Sequence, residues 1–133
     1  MRYLLDTHAM VWAITETSKL SPQVREILED PNHQILVSPV SFWEISLKFA
    51  LGKLELNHVL PEDLPNACVE MDFDIQPLEP EAASTLHHMK GTYHKDPFDR
   101  MLIWQAIYYK IPLISKDQII AQYSSEGLTL VWE

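Results

Sequence analysis

The sequence predicts an α/β fold: a mostly parallel sheet with helices covering both faces. Three observations predict it. Short apolar strand segments alternate with helical ones, the pattern of βα units. The strand segments, such as Tyr3-Leu4-Leu5 and Ile35-Leu36-Val37, are apolar runs of the kind buried on both faces. The chain has 133 residues, 47 % of them apolar, which fits one domain over residues 1–133 with one core.

The elements follow in order. Residues 2–5 read as a strand ending at Asp6, and a helix runs on from Thr7. Residues 18–21 read as a loop. Residues 22–29 form a surface helix: Ser21 caps it, Val24, Ile27 and Leu28 line one face, and Pro31 follows its end. Residues 34–37 are a second strand. Ser38-Pro39 opens a helix to about Leu51, stopped by Gly52. A polar connection covers 54–65, with a weak helix over 64–71. Residues 75–78 are a short extended piece, and Pro77 argues for a sheet edge. Residues 80–89 read as a helix.

The segment Asp96-Pro97-Phe98-Asp99 then opens the most apolar helix of the chain. Proline favours the first helical position, so Asp96 is its N-cap and Asp99 lies in its first turn. The residues after Arg100 are apolar on nearly every side, which places this helix centrally. Residues 112–115 are a strand ending before Asp117, 119–123 a short helix, and 128–131 a closing strand.

Composition excludes several classes. With one cysteine, Cys68, no internal disulfide forms and no four-cysteine zinc site exists. No base accompanies Cys68, which reads as buried and inert. The histidines His8, His33, His58, His87, His88 and His94 show no metal-binding spacing. Asp6 interrupts the first apolar run at once, against a signal peptide, and no stretch reaches the length of a membrane span. A cytoplasmic location is expected, with no membrane partner. The net charge of −9 argues against nucleic-acid binding through bulk charge. Eight acids and no Lys or Arg lie between Lys53 and Lys90, while Lys48, Lys53, Lys90, Lys95, Arg100, Lys110 and Lys116 flank the remaining segments. The aromatics Trp12, Phe42, Trp43, Phe49, Phe98 and Trp104 fall at helical core positions and read as packing.

Four acids carry the chemistry. Asp6 and Asp117 end strands, and ligands of parallel sheets bind at the carboxyl ends of strands. Glu44 lies early in the helix after the second strand, and Asp99 in the first turn of its own helix. Each has a plain structural explanation. Asp6 and Asp117 could cap helices; Ser41-Phe42-Trp43-Glu44 matches a capping box; Glu44 and Lys48 are spaced for a helical ion pair. Together these explanations weaken, because clustered carboxylates repel one another near a low-dielectric core. A divalent cation relieves that repulsion, and an all-oxygen ligand set suits Mg²⁺ or Mn²⁺.

At these residues the chain resembles the PIN-domain family, specifically VapC-type toxin ribonucleases of bacterial toxin–antitoxin pairs. The matching segments are Tyr3-Leu4-Leu5-Asp6-Thr7-His8, Val40-Ser41-Phe42-Trp43-Glu44-Ile45-Ser46-Leu47-Lys48 with Gly52-Lys53-Leu54, His94-Lys95-Asp96-Pro97-Phe98-Asp99-Arg100-Met101-Leu102-Ile103 and Leu113-Ile114-Ser115-Lys116-Asp117. The resemblance implies a three-layer sandwich with a parallel sheet of about five strands. It implies a Mg²⁺- or Mn²⁺-dependent endoribonuclease, a VapB-type antitoxin partner and a homodimer. Carried over, Asp6 and Asp99 become metal ligands, and Glu44 and Asp117 serve a second ion or orient water. Hydrolysis by a metal-activated water in line leaves a 5′-phosphate and a 3′-hydroxyl.

Rival classes fare worse. A phosphotransferase of the haloacid dehalogenase type needs an acid where His8 stands, and a receiver domain needs an acceptor Asp where Val37-Ser38 stands. The remaining alternative is a binding module of the same fold without catalysis.

Overall fold

Apolar side chains leave both faces of the first two strands, and this dictates a three-layer arrangement. The computed structural model describes residues 1–133. Strands β1 (Arg2–Leu5), β2 (Gln34–Val37), β3 (Asp74–Ile75), β4 (Leu113–Ile114) and β5 (Leu130–Val131) form one sheet in the order β3-β2-β1-β4-β5. Every pairing is parallel, with Leu4 opposite both Leu36 and Leu113. Tyr3, Leu5, Ile35 and Val37 point into one core with helices α1 (Thr7–Thr15), α2 (Pro22–Glu29) and α4 (Leu64–Glu70). Leu4, Leu36 and Leu113 point into the other, against α6 (Pro97–Tyr109). Helix α3 (Pro39–Ala50) meets α6 at a third cluster of Val40, Phe98 and Leu102.

The sequence places these elements through their caps. Asp6, Ser21, Ser38 and Asp96 each accept a backbone N–H of the helix that follows, which satisfies donors otherwise left open. Pro22, Pro39 and Pro97 occupy first helical positions. The edge position expected near Pro77 belongs to β3.

Several local expectations change. Residues Thr17–Lys19 form a 3₁₀ turn instead of a loop. The helix expected over 80–89 breaks into α5 (Pro80–Ser84) and a 3₁₀ turn at Leu86–His88. The Thr85 hydroxyl donates to the Glu81 carbonyl at 2.7 Å and the Trp104 indole donates to the Ala82 carbonyl at 2.9 Å. These bonds satisfy carbonyls of the last turn, which have no partner within the helix. Residues Gln118–Glu126 are 3₁₀ throughout and end at Gly127, whose φ of 102° suits glycine. Ser38 rather than Ser41 caps α3, so no capping box forms and Glu44 lies deeper in the helix. Trp43 is 64 % exposed and Phe49 is exposed as well, so these two aromatics are not core residues; Phe98 is buried. Cys68 is buried, and burial pushes its thiol up to about 11. No helix is long and apolar enough to cross a membrane.

Candidate functional site

The chain order reverses between β1 and β4: β2 and β3 lie on one side of β1, and β4 and β5 on the other. Loops leaving two such strands diverge and open a crevice at their carboxyl ends. Asp6 follows β1 and its backbone N–H donates to Ile114 of β4 at 3.0 Å. Asp117 lies three residues past β4. Helix α6 packs below this edge and presents Asp99 from its first turn. Asp6, Asp99 and Asp117 line one cavity of about 160 Å³, floored by Leu102, Ile103 and Ile120 and bordered by His8.

Glu44 faces elsewhere. It is 2 % exposed, takes a 2.6 Å hydrogen bond from the Thr7 hydroxyl and is ion-paired to Lys48 one helical turn on. Lys48 also pairs with Asp96 at 3.3 Å. Glu44 and Lys48 line a neighbouring cavity of about 390 Å³ with Thr7 and His8. Structure thus brings three of the four acids to one cavity, and the fourth to the cavity beside it.

The charge states follow from these surroundings. Burial pushes the Asp6 carboxyl above its ordinary range, against hydrogen bonds from Ser115 and the Ala9 amide that pull it down. Asp99 is raised to about 6: burial leads, and the charges of Asp96 and Glu44 add to it. At Asp96 burial works upward, but the Phe98 amide and the Lys48 charge outweigh it and hold the carboxyl low. At Lys48 burial works downward and is outweighed by Glu44, so its ammonium is held charged.

Sequence reasoning left one participant unassigned. The His94 Nε2 and Asp117 Oδ2 atoms are 2.7 Å apart, and His94 is mostly buried. The loop bearing His94 is tied down on three sides. Glu126 accepts from the Lys90 and Gly91 amides at 2.6 and 2.8 Å. The Tyr123 hydroxyl accepts from the His94 amide at 3.1 Å. The Arg100 guanidinium donates to the carbonyls of Gly91 and His94 at 2.9 and 3.2 Å. Arg100 is therefore spent on the loop. Nothing local in the sequence signals the His94 contact, because its partner lies 23 residues away.

The donor set can be tested against a metal. No three His, Cys, Asp or Glu side chains stand in an arrangement that grips an ion. Mg²⁺ does not need three, since it keeps several waters and binds through one or two carboxylates. Asp6 and Asp99 supply two carboxylates in one cavity, pair with no Lys or Arg, and are both raised by burial. Such oxygens have the donor chemistry that suits a hard cation.

Comparison with known proteins sets this geometry in context. The sequence pattern of the PIN domain matches residues 3–126. No curated protein matches the chain. Among solved structures, the chain is similar to VapBC2 from Rickettsia felis bound to a DNA fragment from their promoter, with a TM-score of 0.68, 16 % identity and 100 % of both chains covered. It is similar to DNA-bound VapBC from Salmonella typhimurium, with a TM-score of 0.67, 13 % identity, and 98 % and 97 % of the two chains covered. It also resembles FitAcB from Neisseria gonorrhoeae, with a TM-score of 0.61, 20 % identity, and 96 % and 95 % covered. At these identities the likeness is one of fold.

Proposed function

The chain belongs to the PIN domain family, and from that premise we propose that it is a Mg²⁺- or Mn²⁺-dependent endoribonuclease acting as the toxin of a VapBC-type toxin–antitoxin pair, with residues 1–133 as a single nuclease domain. One observation carries the reading. Asp6, Asp99 and Asp117 share a cavity where the strand order reverses, and no Lys or Arg neutralises them.

Asp6 and Asp99 are the residues that would hold the ion. Held there, such an ion would make a water more acidic and would offset charge on a phosphodiester. The protein does the rest. Asp99 accepts the ion when it is ionised, and the charges of Asp96 and Glu44 beside it increase what it gains from a cation. Asp117, held by its contact with His94, lines the same cavity and would orient a water there. Glu44 acts through the Thr7 hydroxyl and Lys48 rather than by reaching the cavity. Lys95 and Lys116 are exposed beside the rim and are suited to phosphate contacts. The similar solved structures are complexes named VapBC and FitAcB, which supports a VapB-type antitoxin as partner; a homodimer and a cytoplasmic location complete the proposal.

The test is cleavage of a structured-RNA pool by the protein freed of antitoxin, in Mg²⁺ or Mn²⁺. EDTA-treated and Asp99→Asn samples run beside it. Cleavage lost in both controls, with 5′-phosphate and 3′-hydroxyl ends, upholds the proposal. Cyclic 2′,3′-phosphate ends would overturn it. Neither cleavage nor Mn²⁺ binding would leave the fold as a binding module.

A further inference from the structure

The cavity of about 390 Å³ beside the acidic one is the larger of the two and is not used by the chemistry above. It lies between α1, α3 and the 53–57 connection, and His8 lines both cavities, so they adjoin along the first turn of α1. Val11, Trp12, Ile45 and Leu54 give it an apolar wall. At its rim Lys53 and Glu55 are exposed and make no ion pair. Two further ammonium groups stand over the indole: the Nζ atoms of Lys19, which is ion-paired to Glu16 at 3.4 Å, and of Lys116 lie 5.7 and 5.9 Å from the Trp12 ring centroid. Lys116 also precedes Asp117, which lines the acidic cavity.

We propose that this cavity receives one unpaired nucleotide of the RNA substrate, its base against Trp12 and its phosphates toward Lys53 and Lys116. The inference rests on the nuclease reading given above. A cavity of this size is in the range that takes a small ligand, about 300–1,000 Å³. An aromatic wall, apolar side chains and polar groups at the rim match a base, which offers two apolar faces and a hydrogen-bonding edge. The net charge of −9 strengthens the argument, because the bulk field repels RNA and affinity must come from local contacts. The cations around Trp12 supply those contacts at the place where the chain would enter the acidic cavity. An apolar side chain of a protein partner would use the same wall but leave Lys53 and Lys116 without a counter-charge.

The test is a titration of the full chain in EDTA with AMP, GMP, CMP and UMP, read at the tryptophan indole resonances. A Trp12→Phe variant assigns the Trp12 signal among the four tryptophans. At least one nucleotide is expected to move the Trp12 resonance more than those of Trp43 and Trp104. Lys53→Ala should weaken that binding about threefold, as for an exposed charge contact. Leu54→Trp, which fills the cavity, should abolish the shift and raise KM for RNA cleavage while leaving kcat within about twofold. If no nucleotide moves Trp12 at millimolar concentration, or if Leu54→Trp leaves binding intact, the proposal is overturned. The titration needs no metal, so it separates the two readings. Cleavage without Trp12 binding sinks the subsite alone; Trp12 binding with neither cleavage nor Mn²⁺ binding sinks the nuclease, and the subsite as a substrate site with it.

Discussion

The Nε2 atom of His94 stands 2.7 Å from Oδ2 of Asp117, joining the loop before α6 to the end of β4. Asp117 also caps the 3₁₀ segment through Oδ1, which accepts the Ile119 amide at 3.0 Å. The two contacts together fix how its carboxylate faces the cavity. His94→Ala removes one of them. The expected result is a roughly tenfold lower kcat for RNA cleavage, the usual cost of losing a partner that orients a site group. Thermal melting should change little. Single-turnover cleavage alongside a melting curve checks both.

Asp99 titrates at about 6 in the folded chain, against 3.8 for the free side chain. The folded state therefore holds its proton more tightly than the unfolded one. The cost to stability is absent below pH 4, grows as pH rises through 4–6, and is complete above 6. Asp99→Asn removes it. In EDTA at pH 7 this variant should be more stable than the parent by on the order of 1 kcal/mol, after allowance for solvent screening of a partly exposed group. The two proteins should converge near pH 4, and Mn²⁺ should stabilise the parent only. Melting curves across pH test the sign, and an equal gain at pH 4 and pH 7 would contradict it.

Lys48 neutralises a carboxylate that has almost no access to water, since Glu44 is 2 % exposed. Lys48→Met leaves that charge without its ion pair. A destabilisation of about 2 kcal/mol is expected, less than for a fully buried pair because Lys48 itself is partly exposed. Adding Glu44→Gln should recover most of the loss. Denaturant unfolding of both variants measures the coupling.

Gly91 has no room for a side chain. A Cβ there would lie 2.8 Å from Glu126 Oε2, Tyr123 Cε1 and Tyr93 Cε2 alike. Gly91→Ala must displace these side chains, among them Glu126 and Tyr123 that hold the His94 loop, or the loop itself. The expected cost is about 1–3 kcal/mol, the range for overpacking, together with a loss of cleavage at least as large as that of His94→Ala. Glu126→Gln keeps one acceptor for the loop amides and should have the milder effect on both readouts. Equal cleavage by Gly91→Ala and the parent would show that the loop does not set the site.

Local chemistry fixed much of this molecule. The strand segments at 2–5 and 34–37, the caps Asp6, Ser21, Ser38 and Asp96, and the first-turn prolines are short-range matters of hydrophobic runs and backbone donors. They could be read directly, and with them the parallel α/β fold. Position at a strand end also placed Asp6 and Asp117 on one edge. The breaks were less legible: the carbonyls at the end of α5 are satisfied by Thr85 and Trp104, and Trp104 comes from another element.

Three features were decided by tertiary structure alone. Glu44 looked equivalent to the other acids in the sequence, yet the direction of α3 turns it to Thr7 and Lys48. Asp99 is raised first by its burial in the folded chain, then by the charge of Asp96 three residues before it and by that of Glu44, which only the fold brings near. His94 reaches Asp117 only because the loop is pinned to Glu126, Tyr123 and Arg100. The reason is common to all three. Periodicity and capping act within one or two turns of chain, whereas the field at a carboxylate depends on which distant elements the sheet order brings beside it.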